Sequence, residues 1–235
     1  VVPFDLKQAI ASASPGTVLE VPKGTWAGGL SLTRAVTLLG SGLAGFDGLG
    51  RGPVLTVNAP DAEVIISGFD FTNATAISGA AVLFFEGRLT LKDCRFHRCF
   101  APGHGGGAVY ARGATLTVER CTFERNTGRQ GGAVLLDQLV EASFKGCSFV
   151  ENTAVRGGAL RLKEGARAVL EDCVLTANQA VGPHASGGGI DLAGTTTRAP
   201  SLVLRRCTWS GEGAQLGRAP VAPGTVELVE TAPPQ

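Results

Sequence analysis

The chain reads as an all-β protein, a parallel β-helix in which short strands wind into stacked coils. Three features carry that expectation. Cys94, Cys121, Cys147, Cys173 and Cys207 stand 27, 26, 26 and 34 residues apart, a spacing typical of solenoid repeats. Around each cysteine, apolar and other residues alternate with the period of two that marks a strand. Glycine supplies 34 of 235 residues, about twice its usual share and without a collagen triplet.

Residues 4–13, "FDLKQAIASA", place Phe4, Leu6, Ile10 and Ala13 on one side of a short helix. Such a helix suits the open end of a solenoid, whose unpaired strand edges invite aggregation. "TVLEVPKGTWAGGLSLTRAVTLLGSG" follows, as short strands punctuated by glycine. Regular coils then run over 64–210. The first carries Val64, Ile66, Phe69 and Phe71, with Phe69 where later coils have cysteine. The next carries Leu89, Leu91, Cys94 and Phe96. Leu116, Val118, Cys121, Phe123 and Asn126 fill the template again, as do Ala142, Phe144, Cys147, Phe149 and Asn152. Ala168, Leu170, Cys173, Leu175 and Asn178 make another copy; Leu202, Leu204, Cys207 and Trp209 make a last, degraded one. Two residues separate the second apolar position from each cysteine, which breaks the alternation and predicts a corner. Residues 211–235 hold a final strand and a Pro-rich tail, and the whole chain reads as one domain, because stacked coils bury a core that no single coil could.

Two resemblances sharpen this reading. The opening helix with "PGTVLEVPKGTW" and "VTLLGSG" resembles the start of pectin-lyase-like right-handed β-helices. Phe-x-x-Asn followed by Gly-Gly-Ala-aliphatic resembles the repeats of polymorphic outer-membrane proteins and related bacterial surface passengers. Phe123 and Asn126 with "GGAV" at 131–134 carry it, as do Phe149 and Asn152 with "GGAL" at 157–160. "GGAV" at 106–109 follows Cys99 in place of Asn, and Asn178 pairs more loosely with "GGGI". The resemblance implies a right-handed coil in a secreted or cell-surface bacterial protein.

Composition narrows the function classes. The net charge of +1 argues against nucleic acid, which calls for a concentrated basic face. No apolar run is long enough to span a bilayer as a helix. The first residues lack a start methionine and a signal-peptide layout, and read as a mature or trimmed segment. The residues give no sign of oligomeric state.

Most of the repeated residues read as scaffold. Cys94, Cys121, Cys147 and Cys173 are expected to form an inward ladder of free thiols beside a ladder of Phe96, Phe123 and Phe149. A linear array does not converge on one metal ion, so neither metal nor cofactor is expected; a local Cys94–Cys99 bridge stays open. Asn126, Asn152 and Asn178 are expected to bond to neighbouring backbone at a turn. Outward charges alternate along the coils as Lys92, Glu119, Lys145, Glu171 and Arg205, with Asp93 beside Arg120, Asp172 beside Arg206 and Arg161 beside Asp191. Opposite charges on facing positions fix register.

Two places escape that pattern as candidate binding sites. Leu83, Phe85, Tyr110 and Leu135 are expected to form an outward apolar stripe, covered by a loop or tail or open to a protein partner. The loops before Gly-Gly lengthen at "FAPGHG" and "QAVGPHASG", which brings His104 and His184 to one edge with Arg129 and Arg156 between them. That edge suits an anionic sugar or phosphate.

No catalytic residue is assigned. "GHG" at 103–105 resembles a fragment of the polygalacturonase signature, but the accompanying Asn-Thr-Asp, Asp-Asp and Arg-Ile-Lys are missing. A calcium-dependent lyase site calls for several clustered aspartates; Asp70, Asp93, Asp172 and Asp191 mostly face basic neighbours. The expected function is a non-catalytic adhesive or structural passenger binding a glycan or protein. The alternatives are a polysaccharide lyase or hydrolase, and a cytoplasmic scaffold domain.

Overall fold

The computed structural model describes residues 4–48, 52–211, 216–218 and 225–229. They form a parallel β-solenoid with one short helix at its start, Leu6–Ser12. Asp5 caps that helix by accepting the Gln8 backbone N–H at 3.0 Å, as N-cap carboxylates do. Leu6, Ile10 and Ala13 are buried. Phe4, expected on the same side, is 39% exposed and meets the edge of Trp26.

Each coil contributes one strand to each of three faces. The first face stacks Thr17–Val21, parts of three long strands that turn corners, Thr115–Glu119, Glu141–Lys145, Arg167–Glu171, Ser201–Arg205 and Thr225–Val229. The second face stacks Arg95–His97, Thr122–Glu124, Ser148–Val150, Val174–Thr176 and Thr208–Ser210. The third stacks Val109–Arg112, Val134–Asp137, Leu160–Lys163, Ile190–Ala193 and Leu216–Arg218. A narrow ribbon of two-residue strands, from Phe100–Ala101 to Gln179–Ala180, lies between the second and third faces. Every pairing between these strands is parallel. The final strand of the 211–235 segment is Thr225–Val229; its Pro-rich tail lies outside the described residues.

The corners expected before each cysteine use left-handed residues. Asp93, Arg120, Gly146, Asp172 and Arg206 occupy equivalent positions with φ between 49° and 61°. A second corner repeats that geometry at Arg98, Arg125, Glu151 and Ala177. Non-glycine residues reach this region at some cost, and the hydrogen bonds to the coils on either side hold them there.

Inside, side chains stack at the strand spacing of about 4.8 Å. Phe71, Phe96, Phe123 and Phe149 have centroids 4.8, 4.8 and 4.9 Å apart with near-parallel rings. Each is fully buried, which stabilises the core by about 1.5–3 kcal/mol per ring. All six cysteines are buried and free, Cys94 and Cys99 among them. Burial pushes the Cys99 thiol up to about 12.

The Asn ladder is satisfied at its centre. Asn152 Nδ2 donates to Phe123 O at 2.9 Å and to Asn178 Oδ1 at 2.9 Å. Its Oδ1 accepts from the backbone N–H and the Nδ2 of Asn126, each at 2.9 Å. Cys99 starts the ladder by giving its backbone N–H to Asn126 Oδ1 at 3.0 Å.

Candidate functional site

The outward charges mostly pair as their register dictates. Lys92 meets Glu119 at 3.6 Å and Lys145 meets Glu171 at 3.9 Å. Arg120 grips both oxygens of Asp93, and Arg206 both oxygens of Asp172. These pairs are about half exposed and tie adjacent coils together.

The expected apolar stripe takes a different form. Leu83, Tyr110 and Leu135 do share one outward column of the third face. Leu135, however, is only 1% exposed, and Leu83, Phe85 and Tyr110 are partly buried. Phe85 sits at a bulge outside the register, with its ring edge-on to Tyr110. The chain just before the third face accounts for the cover. A Cβ on Gly106 would strike the backbone at Val134 and Leu135, so that segment lies directly over the column. The stripe is therefore not an open apolar surface.

The same column becomes charged in the next two coils. Leu135 is followed by Arg161 and Asp191 in register. Arg161 is 3% exposed and Asp191 1%, and their Nε and Oδ2 lie 3.1 Å apart. Neither atom is aligned for a hydrogen bond, so the contact is one of charge alone. Ser186 Oγ donates to the other Asp191 oxygen, Oδ1, at 2.7 Å. Burial pushes the Asp191 carboxyl above its ordinary value, against the pull of Ser186 and Arg161. Burial also draws Arg161 below the usual arginine range; Asp191 opposes this and nearby Arg156 adds to it.

Above this pair the loops form a cleft of about 250 Å³. His104, Arg129, Gln130, Val155, Arg156, Arg161 and His184 line it. All four residues expected at the loop edge thus meet in one concavity, although they come from four successive coils. Parallel bridges from Gln130 to Arg156 and from Arg156 to Ser186 stack the loops. The longer loops carry the two histidines. Arg129, Arg156, His104 and His184 are exposed at the rim, and Arg161 alone lies deep. Asp191, already engaged, lies next to the cleft, and Asp137, which also acts on Arg161, is paired with Lys163 at 3.6 Å. Three guanidinium groups and two imidazoles in a partly enclosed space make it an anion receptor in chemical character. Among the described residues, no group of three or more His, Cys, Asp or Glu is placed to hold a metal ion.

A family model described as the right handed beta helix region matches residues 55–208, more than half of the chain. The chain belongs to the right-handed β-helix family. Comparison with curated proteins and with solved structures returned no match. In this right-handed β-helix the cleft lies at the entrance to the third face, inside the family match. No helix among the described residues is long and apolar enough to cross a membrane.

Sequence reasoning missed Arg161 as part of the cleft, because it assigned the Arg161–Asp191 pair to surface register. The signal was present: the column carries Leu83, Tyr110 and Leu135 before turning to Arg161 and Asp191. Its apolar members are covered by the preceding chain segments, so charged members at the same depth are covered as well.

Proposed function

We propose that this β-helix is a non-catalytic recognition segment of a secreted or cell-surface protein, and that it binds an anionic glycan through the cleft at His104, Arg129, Arg156, Arg161 and His184. One observation carries the reading: arginine and histidine side chains from four coils converge on one concavity, while the neighbouring Asp191 carboxylate is already paired. Clustered guanidinium groups favour carboxylate, sulfate or phosphate through charge-assisted, often bidentate hydrogen bonds. The rigid coil presents them without a large ordering cost. Paired surface carboxylates support a binding role over acid–base hydrolysis, which needs two carboxyl groups free to act.

A parallel binding and cleavage screen against charged and neutral polysaccharides tests this. Acidic chains are expected to bind, neutral ones not, and Arg129→Ala with Arg156→Ala should weaken binding at least tenfold, about 1.4 kcal/mol. New chain ends that disappear in His104→Ala would replace the binding reading with a lyase or hydrolase. The six free thiols favour a second setting, a scaffold domain in a reducing compartment; fractionation of the native source separates the two.

A further inference from the structure

We infer that the floor of the cleft is a socket for one phosphate monoester group, seated end-on on Arg161 and closed by Arg129 and Arg156. The inference rests on the reading of the cleft as an anion site and names the anion. Arg161 is 3% exposed, yet its guanidinium makes no hydrogen bond to any described residue. Its Nε is turned to Asp191 at 3.1 Å in a contact that is not hydrogen-bonded. A buried guanidinium normally has most of its five N–H donors satisfied. Here Arg161 lines the cleft with its guanidinium unpartnered.

Charge decides among the anions. Three arginines against Asp191 leave a formal charge of two positive around the cleft with both histidines neutral, and Asp137, which also acts on Arg161, is balanced by Lys163 at 3.6 Å. A carboxylate or a sulfate monoester carries one negative charge. A phosphate monoester carries about two near neutral pH and offers three strong acceptor oxygens. It thus balances the site and gives each guanidinium an oxygen. It also relieves the repulsion between Arg156 and Arg161, which Asp191 and, less strongly, Asp137 offset at Arg161. Size agrees, because about 250 Å³ falls below the roughly 300–1,000 Å³ of sites for drug-sized ligands. The space suits one substituted sugar ring rather than a stretch of chain.

The test is calorimetric titration of the intact protein at pH 7.5 and low salt with glucose 6-phosphate, glucose 6-sulfate, glucuronate and glucose. Inorganic phosphate serves as the sugar-free arm. The phosphate ester should bind at least tenfold more tightly than either monoanion, and glucose not at all. Inorganic phosphate binding as tightly as the ester would keep the socket but overturn its assignment to a sugar ligand. Arg161→Lys retains a charge but loses the fork and should lower phosphate affinity at least tenfold. Arg156→Ala, at an exposed loop position, should do the same without disturbing the buried pair. Equal affinity for phosphate ester and glucuronate, or unchanged phosphate binding in Arg156→Ala, overturns the socket. Acidic polysaccharide binding without phosphate preference overturns this inference and leaves the glycan reading standing. Phosphate binding without polysaccharide binding does the reverse.

Discussion

The tightest points of the coil are backbone contacts, and there single residues are irreplaceable. In Gly131–Gly132, Gly131 has φ +72° and turns the chain into the third face. Gly132 lies against the next coil so closely that a Cβ would overlap the Gly158 carbonyl oxygen. Gly158 meets Gly188 in the same way. Gly132→Ala must therefore spread two coils, and is expected to cost about 3 kcal/mol, read as a lowered urea midpoint; a change within 0.5 kcal/mol would refute the close approach. Charged corners behave differently. The hydrogen bonds from Arg120 hold the Asp93 carboxyl below its ordinary value, with smaller help from the Arg120 and Lys92 charges. A carboxyl depressed in the folded state contributes stability that is complete above its unfolded pKa and lost as pH falls through the folded one. Asp93→Asn should accordingly flatten the loss of stability below about pH 4 and change little at neutral pH, because the pair is half exposed. Denaturation midpoints from pH 6 to pH 2 decide it: an acid limb identical to the parent's would show that the pair does not contribute.

At the scale of elements, the ladders set the register that strands alone leave loose. A one-residue slip in any coil would turn its apolar set outward, and the Asn and Phe stacks oppose such a slip from inside. Asn152 serves both neighbours at once. Asn152→Ala strips partners from the Asn126 amide groups, the Phe123 carbonyl and Asn178 Oδ1, and should cost about 3 kcal/mol, since each buried group left unpaired costs about 1–3 kcal/mol before relaxation. Asn178→Ala, at the end of the ladder, should cost less. Thermal unfolding of the two variants compares them directly, and a larger loss at Asn178 would mean that the ladder does not act as a chain of shared bonds. Cys99 begins the ladder without an amide because that rung only has to donate its backbone N–H.

For the molecule as a whole, stability is a sum over coils and the interfaces between them, so the ends open before the middle. The cysteines report on this. All six are buried, and a thiol reagent at pH 8 should label none in the native protein within the time that labels a denatured sample fully. In increasing urea, Cys207, in the last of the cysteine coils, should label before Cys121 and Cys147. Simultaneous labelling of all six would instead show one cooperative unit, and full labelling without denaturant would contradict the interior placement. The cleft belongs to this scale too, because its side chains, from His104 to His184, come from four successive coils and meet only while the stack is intact.

Much of this architecture is legible in the residues themselves. Cysteine spacing and period-two alternation specify a coiled stack, since strand periodicity and repeat length are local properties. Cys94, Cys121, Cys147 and Cys173 lie inside as their pattern requires, and Asn126, Asn152 and Asn178 share a turn because equal spacing puts equal residues in register. His104, Arg129, Arg156 and His184 fall on one edge for the same reason. Depth is another matter. Whether Leu135 meets water, and whether Arg161 and Asp191 form a surface pair or the floor of a cleft, depends on how the preceding segment folds over the third face. That fold-over follows from glycine contacts between coils distant in sequence, which no local pattern encodes. The residues alone specify the stack, its ladders and the edge where His104, Arg129, Arg156 and His184 gather; that Arg161 joins them, buried and with its guanidinium unpartnered, emerges only on folding, because burial is a property of neighbours brought together in space.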